Sequence, residues 1–489
     1  MGSESVPRGA GSPRPRPRSA AASSHEPCPP HRPPSHRLSR RSVRPFPRAW
    51  AGAGRRMSAP AMPFLLRAYH HGLLALEPAL IGLLAWRRRK GKEDPERLPE
   101  RVGRAGKPRP AGPLVWAHGA SVGEALMLLP LVDRLARRGF TVLVTSGTRT
   151  SADLVAARLP AGALHQFAPL DAPRYVARFL DHWRPDLAIV AESELWPNTI
   201  LALDARQVPL ILVNGRMSER SARGWARLPA LARAVLSRIA ICLVQTREEA
   251  ERFLRLGAPR VVVSGNLKFD APAPPADPQA LAQFSAMLAG RPVWLAASTH
   301  PGEEAGIIAV HRRLAAQRPG LITLVVPRHP RRGAEIAAAG RAAGLRVALR
   351  SQGGLPDART DLYVADTIGE LGLFYRLAPV AFIGGSLVER GGQNPIEPAR
   401  LDTPILHGPH VRNFAQAYAV LGQAGAALAV ADEDALAEAL GRLLADPARR
   451  AAMAAAGRRA VTACGGALDR TMAALEPFIC QMKISGRFG

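Results

Sequence analysis

The sequence predicts an α/β protein built from two doubly wound, Rossmann-like domains that face each other across a cleft. Three observations carry this. The chain has 489 residues and 47% hydrophobic content, more than a single core usually holds. From about residue 110 onward, short runs of Val, Ile and Leu alternate with helical patterns that keep Arg and Glu on one face, the text of repeated strand–helix units. Between two sets of such units lies Ala271-Pro-Ala-Pro-Pro-Ala-Asp-Pro278, a stiff Pro-rich connector of the kind found at domain boundaries.

Residues 1–57 hold twelve Arg against two Glu and almost no large aliphatic residues. Such a composition cannot bury enough surface to offset the entropy of ordering, so it reads as a disordered extension. Either it is an Arg-rich targeting arm or the translation start is assigned too far upstream, with Met57 or Met62 as the true start. It lacks the apolar stretch of a signal peptide. Its net +10 leaves +17 of the total +27 for the rest of the chain, which anionic lipid, a phosphorylated substrate or nucleic acid would each explain.

Residues 58–92 read as a membrane anchor. The run from Ala61 to Trp86 has about the 20 residues a bilayer-spanning helix needs and is followed at once by Arg87-Arg88-Arg89-Lys90. Arg67, His70, His71, Glu77 and Pro78 interrupt it, which leaves a spanning helix, an interfacial helix and a plain buried helix all open. The cationic run would face the cytoplasm, keeping the domains on that side.

The first domain, residues 93–270, is expected to place strands at Pro113–Ala117, Thr141–Thr145, Leu187–Ala191, Leu210–Val213, Ile241–Val244 and Val261–Val263. A linker follows over 271–285. The second domain, 286–489, is expected to place strands at Val293–Ala296, Ile322–Val326, Val380–Ile383, Pro404–Leu406 and Ala427–Val430, with the final helix packing back on the first domain. Cys28, Cys242, Cys464 and Cys480 lie far apart and form no C-x-x-C pair, so neither a zinc site nor a disulfide framework is indicated.

In a doubly wound sheet the ligand crevice lies beyond the carboxyl ends of the strands, and the polar motifs of this chain fall there. Trp116-Ala-His-Gly-Ala-Ser-Val-Gly-Glu124 leads from the first strand into the helix Ala125–Arg138. Glu124 reads either as a general base or as the partner of Ser121 in a capping box, and Gly119 and Gly123 leave room for a substrate to approach. Ala191-Glu-Ser-Glu-Leu-Trp-Pro-Asn198 brings two carboxylates to the same crevice, with Glu192 preferred over Glu194 for a site role. Turn formation is the alternative. Asn214-Gly-Arg-Met-Ser-Glu-Arg-Ser221 offers two guanidinium groups to a phosphate or carboxylate, or to surface ion pairs. Gly265-Asn-Leu-Lys-Phe-Asp270 puts Lys268 at the mouth of the cleft.

In the second domain, Ser298-Thr-His-Pro-Gly-Glu-Glu304 and Pro327-Arg-His-Pro-Arg-Arg332 place His300, Arg328 and His329 on one rim, where an anion would be met. As metal ligands the two histidines lack a third and fourth partner at suitable spacing. Asp366-Thr-Ile-Gly-Glu-Leu371 opens a helix whose free N–H groups suit a phosphate. Gly391-Gly-Gln-Asn-Pro-Ile-Glu-Pro398 is a glycine-rich loop entering a helix with Glu397 in its first turn.

In this order, HGASVGE, ESELWPN, NGRMSERS, GNLKFD, STHPGEE, VPRHP, DTIGEL, GGSLVERGGQNPIEP and GPHVRNF resemble the 3-deoxy-D-manno-octulosonic acid (Kdo) transferase family over roughly residues 62–480. The resemblance implies a GT-B fold, inverting transfer without a metal or other cofactor, CMP-Kdo as donor and lipid IVA, the bisphosphorylated acyl-disaccharide precursor of lipid A, as acceptor. It further implies Glu124 as the base, with Glu192 and Lys268 stabilising the transition state. Pro327, Arg328, Ile368, Gly369, Glu370, Asn394, Pro395, Ile396 and Glu397 would hold CMP. The expected location is the cytoplasmic face of a Gram-negative inner membrane. Both substrates are anionic and the acceptor is lipid-borne, so the positive charge needs no nucleic-acid partner. One departure stands out: Gln393 occupies a place where members often carry His, and Gln cannot carry a proton near neutral pH. Two rivals remain, a sugar-nucleotide epimerase of the same fold and a non-catalytic basic module binding nucleic acid or anionic lipid.

Overall fold

The computed structural model describes residues 62–485; the extension expected over residues 1–57, with Cys28 and Met57, lies outside the described residues. Two seven-stranded sheets, both parallel throughout, make up the frame. The first holds β1 (Leu114–His118), β2 (Thr141–Ser146), β3 (Ala163–Phe167), β4 (Leu187–Ala191), β5 (Leu210–Gly215), β6 (Ile241–Val244) and β7 (Val261–Val263), in the order β3-β2-β1-β4-β5-β6-β7. The second holds β8 (Val293–Thr299), β9 (Ile322–Pro327), β10 (Val347–Leu349), β11 (Leu362–Val364), β12 (Ala381–Ile383), β13 (Ile405–His407) and β14 (Ala427–Ala429). Its order is β10-β11-β9-β8-β12-β13-β14.

The strands are near-continuous apolar runs because helices cover both faces of each sheet. Alternate residues of one strand enter different cores. Val115 and Ala117 of β1 belong to one cluster, Leu114 and Trp116 to the other. Leu295 and Ala297 of β8 likewise face away from Trp294 and Ala296. The last helix, Ala467–Ser485, buries Met472, Leu475 and Ile479 in the first sheet's core alongside Leu128 and Leu131. Burying each such side chain is worth roughly 1.5–3 kcal/mol, so this helix ties the end of the chain to the first sheet.

Strand order reverses between β1 and β4 in the first sheet and between β8 and β12 in the second. At such switch points neighbouring loops leave in opposite directions and open a crevice. The HGASVGE and ESELWPN segments flank the first; the STHPGEE and glycine-rich segments flank the second.

The apolar segment before the first sheet differs from the single anchor helix expected. It forms α1 (Phe64–Ala75) and α2 (Glu77–Arg89), broken at Leu76, because Pro78 at the start of α2 has no N–H to continue the ladder. Among the described residues no helix is long and apolar enough to cross a membrane. The polar residues that interrupt the run fasten it to the first sheet's layer. Tyr69 donates to Asp171 Oδ2 at 3.0 Å, His70 Nδ1 lies 2.8 Å from Asn198 Oδ1, and Glu77 pairs with Arg174 at 3.5 Å. The opposite face leaves Phe64 75% exposed and Leu76, Ile81 and Trp86 about half exposed.

Candidate active site

At the end of β1 the chain turns through Gly119 and Ala120 into α3 (Val122–Arg137), which Ser121 caps by accepting the Glu124 N–H. The turn is tight. A Cβ on Gly119 would lie 2.8 Å from the Ala125 backbone nitrogen, whereas a Cβ on Gly123 would meet nothing within 4 Å. Of the two glycines expected to make room for a substrate, Gly119 instead lets the turn pack on the helix, and Gly123 alone faces open space.

Glu124 bends back over this turn. Its Oε2 accepts the Ala120 N–H at 2.9 Å and its Oε1 accepts the Ser121 hydroxyl at 2.7 Å. Glu124 therefore joins the capping contacts while standing at the first switch point. Burial, with the negative charges of Glu194 and Glu192, pushes its pKa above the usual carboxylate value, and the Ser121 hydroxyl opposes the rise. A carboxylate so placed is a stronger base than an exposed one.

Glu192 follows β4 with φ +52°, and Asn214 in β5 has φ +53°. Left-handed backbone at a non-glycine residue costs roughly 1–2 kcal/mol and survives where surrounding bonds over-determine it. Those bonds are present: the Glu192 N–H donates to Val213 O at 3.0 Å, and the Glu192 carbonyl accepts the Arg216 N–H at 3.2 Å. The buried Asn214 side chain donates to Glu192 Oε1 at 3.4 Å and accepts the Leu267 N–H at 2.9 Å. One amide thus sets both the carboxylate after β4 and the loop carrying Lys268, whose ammonium reaches Glu192 Oε1 at 2.6 Å. Glu194 points elsewhere. It accepts the Trp196 indole N–H at 2.6 Å, lies 3.7 Å from His118 Nε2 and lines a cavity of about 120 Å³ under the strand ends. Burial pushes its carboxyl up, but the nearby His118 ring and the Trp196 hydrogen bond outweigh it and hold the carboxyl below the usual value.

The second sheet touches this group directly. The Phe414 ring lies 5.2 Å from Lys268 Nζ, Arg216 donates to Arg412 O at 3.1 Å, and Asn266 donates to Gln416 at 3.2 Å. Arg216 therefore spends part of its guanidinium on the facing layer.

Glycine geometry shapes the second switch point. Gly384, Gly385, Gly391 and Gly392 crowd the end of β12, and a Cβ on Gly384 would lie 2.7 Å from Ser298 O. Buried Glu303 accepts four backbone N–H groups, from His300, Gly385, Ser386 and Leu387, at 2.7–3.1 Å. Sequence reasoning passed over this residue, although it stands within STHPGEE. Asn394 accepts the Ile396 N–H at 3.0 Å and donates to Glu397 at 3.1 Å, fixing the entry to the helix Ile396–Arg400. Burial pushes the Glu397 carboxyl up, against the Asn394 bond. Pro327 is buried at the end of β9, while the Arg328 guanidinium is exposed with no hydrogen bond or ion pair among the described residues.

Ile368 is 66% exposed and Gly369 has φ +95°. The Glu370 carboxylate is taken by Arg350 at 2.7 and 3.1 Å, which leaves the backbone of this turn and the Ile368 side chain facing outward. Gln393 Nε2 lies 3.0 Å from His300 Nε2. His300 and His329 stack edge to face at 5.9 Å, and among the described residues no group of three His, Cys, Asp or Glu could hold a metal ion.

Residues 96–271 match a family model described as 3-deoxy-D-manno-octulosonic-acid transferase (kdotransferase). The chain is 40% identical over 424 residues to the 3-deoxy-D-manno-octulosonic acid transferase of Bordetella pertussis, covering 84% of this chain and 99% of that protein. It is 36% identical over 397 residues to a probable mitochondrial 3-deoxy-D-manno-octulosonic acid transferase of Arabidopsis thaliana, covering 78% and 89%. A solved glycosyltransferase of Rickettsia africae ESF-5 has a TM-score of 0.51 at 10% identity, covering 76% of this chain and 99% of that one. That likeness concerns the fold alone, the two-sheet GT-B arrangement.

Proposed function

The chain belongs to the 3-deoxy-D-manno-octulosonic acid transferase family, and from that premise we propose that it moves Kdo from CMP-Kdo to the bisphosphorylated, acylated disaccharide precursor of lipid A. The acceptor hydroxyl oxygen attacks the anomeric carbon as the bond from that carbon to the CMP phosphate oxygen breaks. The hydroxyl proton passes to Glu124, the bonding pair leaves with CMP, and the anomeric configuration inverts. The observation that carries the reading is the raised, half-buried Glu124 carboxylate at the first switch point, beside open Gly123. General-base help of this kind is worth about 10²–10⁴ in rate.

Lys268 stabilises negative charge on the departing phosphate. Glu192 aims its ammonium, and the Phe414 ring covers it from the donor side. CMP lies against Pro327 and Arg328, the Ile368-Gly369-Glu370 turn, and Asn394, Pro395, Ile396 and Glu397. Arg328, free of internal partners, meets the phosphate, and Glu397 accepts ribose hydroxyls.

The acceptor arrives from the cytoplasmic face of the inner membrane. α1 and α2 lie in that interface with Phe64, Leu76, Ile81 and Trp86 outward, and Arg87-Arg88-Arg89-Lys90 meets anionic headgroups. Release of CMP from CMP-Kdo that requires the lipid acceptor supports the reading; release unaffected by omitting the acceptor contradicts it and favours an epimerase-like or hydrolytic enzyme.

A further inference from the structure

We propose that His300, His329 and Arg390 form a carboxylate-recognition subsite for the sugar acid of the donor, adjoining the phosphate site at Arg328. The inference rests on the donor reading above and deepens it.

The three residues come from three segments brought together at the second switch point. His300 follows β8, His329 follows β9, and Arg390 closes the loop after β12. Gly385 holds them close. With φ +66°, it packs so that an added Cβ would lie 3.0 Å from His300 Cδ2 and 3.4 Å from Arg390 Cβ. The His329 ring stands edge-on to His300 at 5.9 Å.

The arginines around the cluster are largely unpaired. Arg332 is neutralised by Glu304 and Glu335, but Arg328, Arg331 and Arg390 have no carboxylate partner among the described residues. Burial depresses both imidazoles, His300 to about 4, helped by His329, Arg328 and Arg390 at His300 and by Arg328 and Arg331 at His329. The folded protein therefore holds guanidinium groups beside neutral imidazoles, and their charge and N–H donors suit an anion. Of the carboxylates nearby among the described residues, Glu303 is occupied by four backbone N–H groups and Glu397 accepts from Asn394.

A sugar linked to a nucleotide through one phosphodiester presents a single negative charge there, which Arg328 suffices to meet. The groups left over call for a second anion a short distance away. An ulosonic acid has one, because its carboxylate sits on the anomeric carbon that bears the phosphate. Gln393, within 3.0 Å of His300 Nε2, fixes the ring plane for that contact.

Phosphate and carboxylate share this chemistry, and affinities for CMP and CMP-Kdo separate them. Isothermal calorimetry on the full chain would compare wild type with Arg390→Gln and His329→Gln, both at exposed positions, using Arg328→Gln as the phosphate control. The expected result is CMP-Kdo binding weakened about 10- to 100-fold in the first two, the range of one charge-assisted hydrogen bond, with CMP affinity within about twofold of wild type. Arg390→Lys should recover part of the loss, since it keeps the charge without the planar fork. Equal losses for both ligands, or no loss for either, overturn the subsite. Wild type that binds neither ligand instead sinks the donor reading itself.

Discussion

The Lys268 ammonium lies 2.6 Å from Glu192 Oε1, joining loops that follow β4 and β7. Both side chains are mostly buried, at 18% and 14% exposure, so neither charge can fall back on full hydration when the other is removed. Lys268→Ala and Glu192→Gln should each lower kcat more than they raise KM for CMP-Kdo. A double-mutant cycle on folding stability should return a coupling of about 0.5–3 kcal/mol. Additive effects would mean the pair is incidental.

With Glu124 as the proposed base, its ionisation should set the acid limb of the pH profile. Its pKa is raised on folding, so the folded state binds this proton more tightly than the unfolded chain does. Its contribution to stability falls as pH rises from the ordinary carboxylate value, about 4.3, through the raised one, while the ionised base needed for catalysis appears over the same interval. Ser121→Ala removes the hydroxyl that opposes the rise, so the acid limb of kcat should move to higher pH. Loss of the cap should also cost about 0.5–2 kcal/mol. A limb that stays put in Ser121→Ala assigns it to another group.

Two glycines in one motif should behave oppositely. Gly119→Ala drives a Cβ to 2.8 Å from the Ala125 nitrogen and 2.9 Å from the Glu124 carbonyl carbon, both backbone atoms that cannot swing aside. A loss of about 1–3 kcal/mol in urea unfolding is expected. Gly123→Ala meets nothing and should unfold as wild type does, yet raise KM for the acceptor if substrate approaches there.

Trp86 reports membrane contact. It is about half exposed beneath Lys90, whose ammonium lies 4.1 Å from its ring. Vesicles containing anionic lipid should blue-shift its fluorescence, and replacing Arg88, Arg89 and Lys90 with Gln, while keeping Arg87 on buried Glu93, should weaken binding by about 1 kcal/mol per charge. Binding indifferent to salt and to lipid charge would leave only the apolar face.

The six strands read from the first domain and the five from the second are all present, because a buried parallel strand is an unbroken apolar run. β3 escaped for the converse reason. It carries His165 and Gln166 into the core, where Ser146 lies 2.9 Å from His165 Nε2 and Trp183 donates to Gln166 at 2.8 Å. β10 and β11, three residues each with Arg346 and Arg350 beside one and Asp361 beside the other, also went unread. The strand-end motifs located the crevice, but partner choice was not legible. Nothing in the spacing tells that Glu370 spends its carboxylate on Arg350, that Glu303 holds a loop, or that Asn214 bridges Glu192 and Lys268. Those outcomes depend on which loops the fold brings together. How the apolar run before the first sheet divides and docks was illegible for a related reason: Tyr69 and His70 are docking contacts, visible only once Asp171 and Asn198 are in place.

The central claim is that Glu124 takes the acceptor's proton during Kdo transfer. Wild type and Glu124→Gln would each be incubated with CMP-Kdo and the bisphosphorylated lipid A precursor, the lipid product weighed by mass spectrometry, and CMP affinity measured in parallel. Wild type should give a lipid heavier by Kdo, and Glu124→Gln a rate about 10²–10⁴ lower with CMP affinity unchanged. Near-normal transfer by the folded Glu124→Gln protein, or no Kdo on the lipid in either reaction, would contradict it.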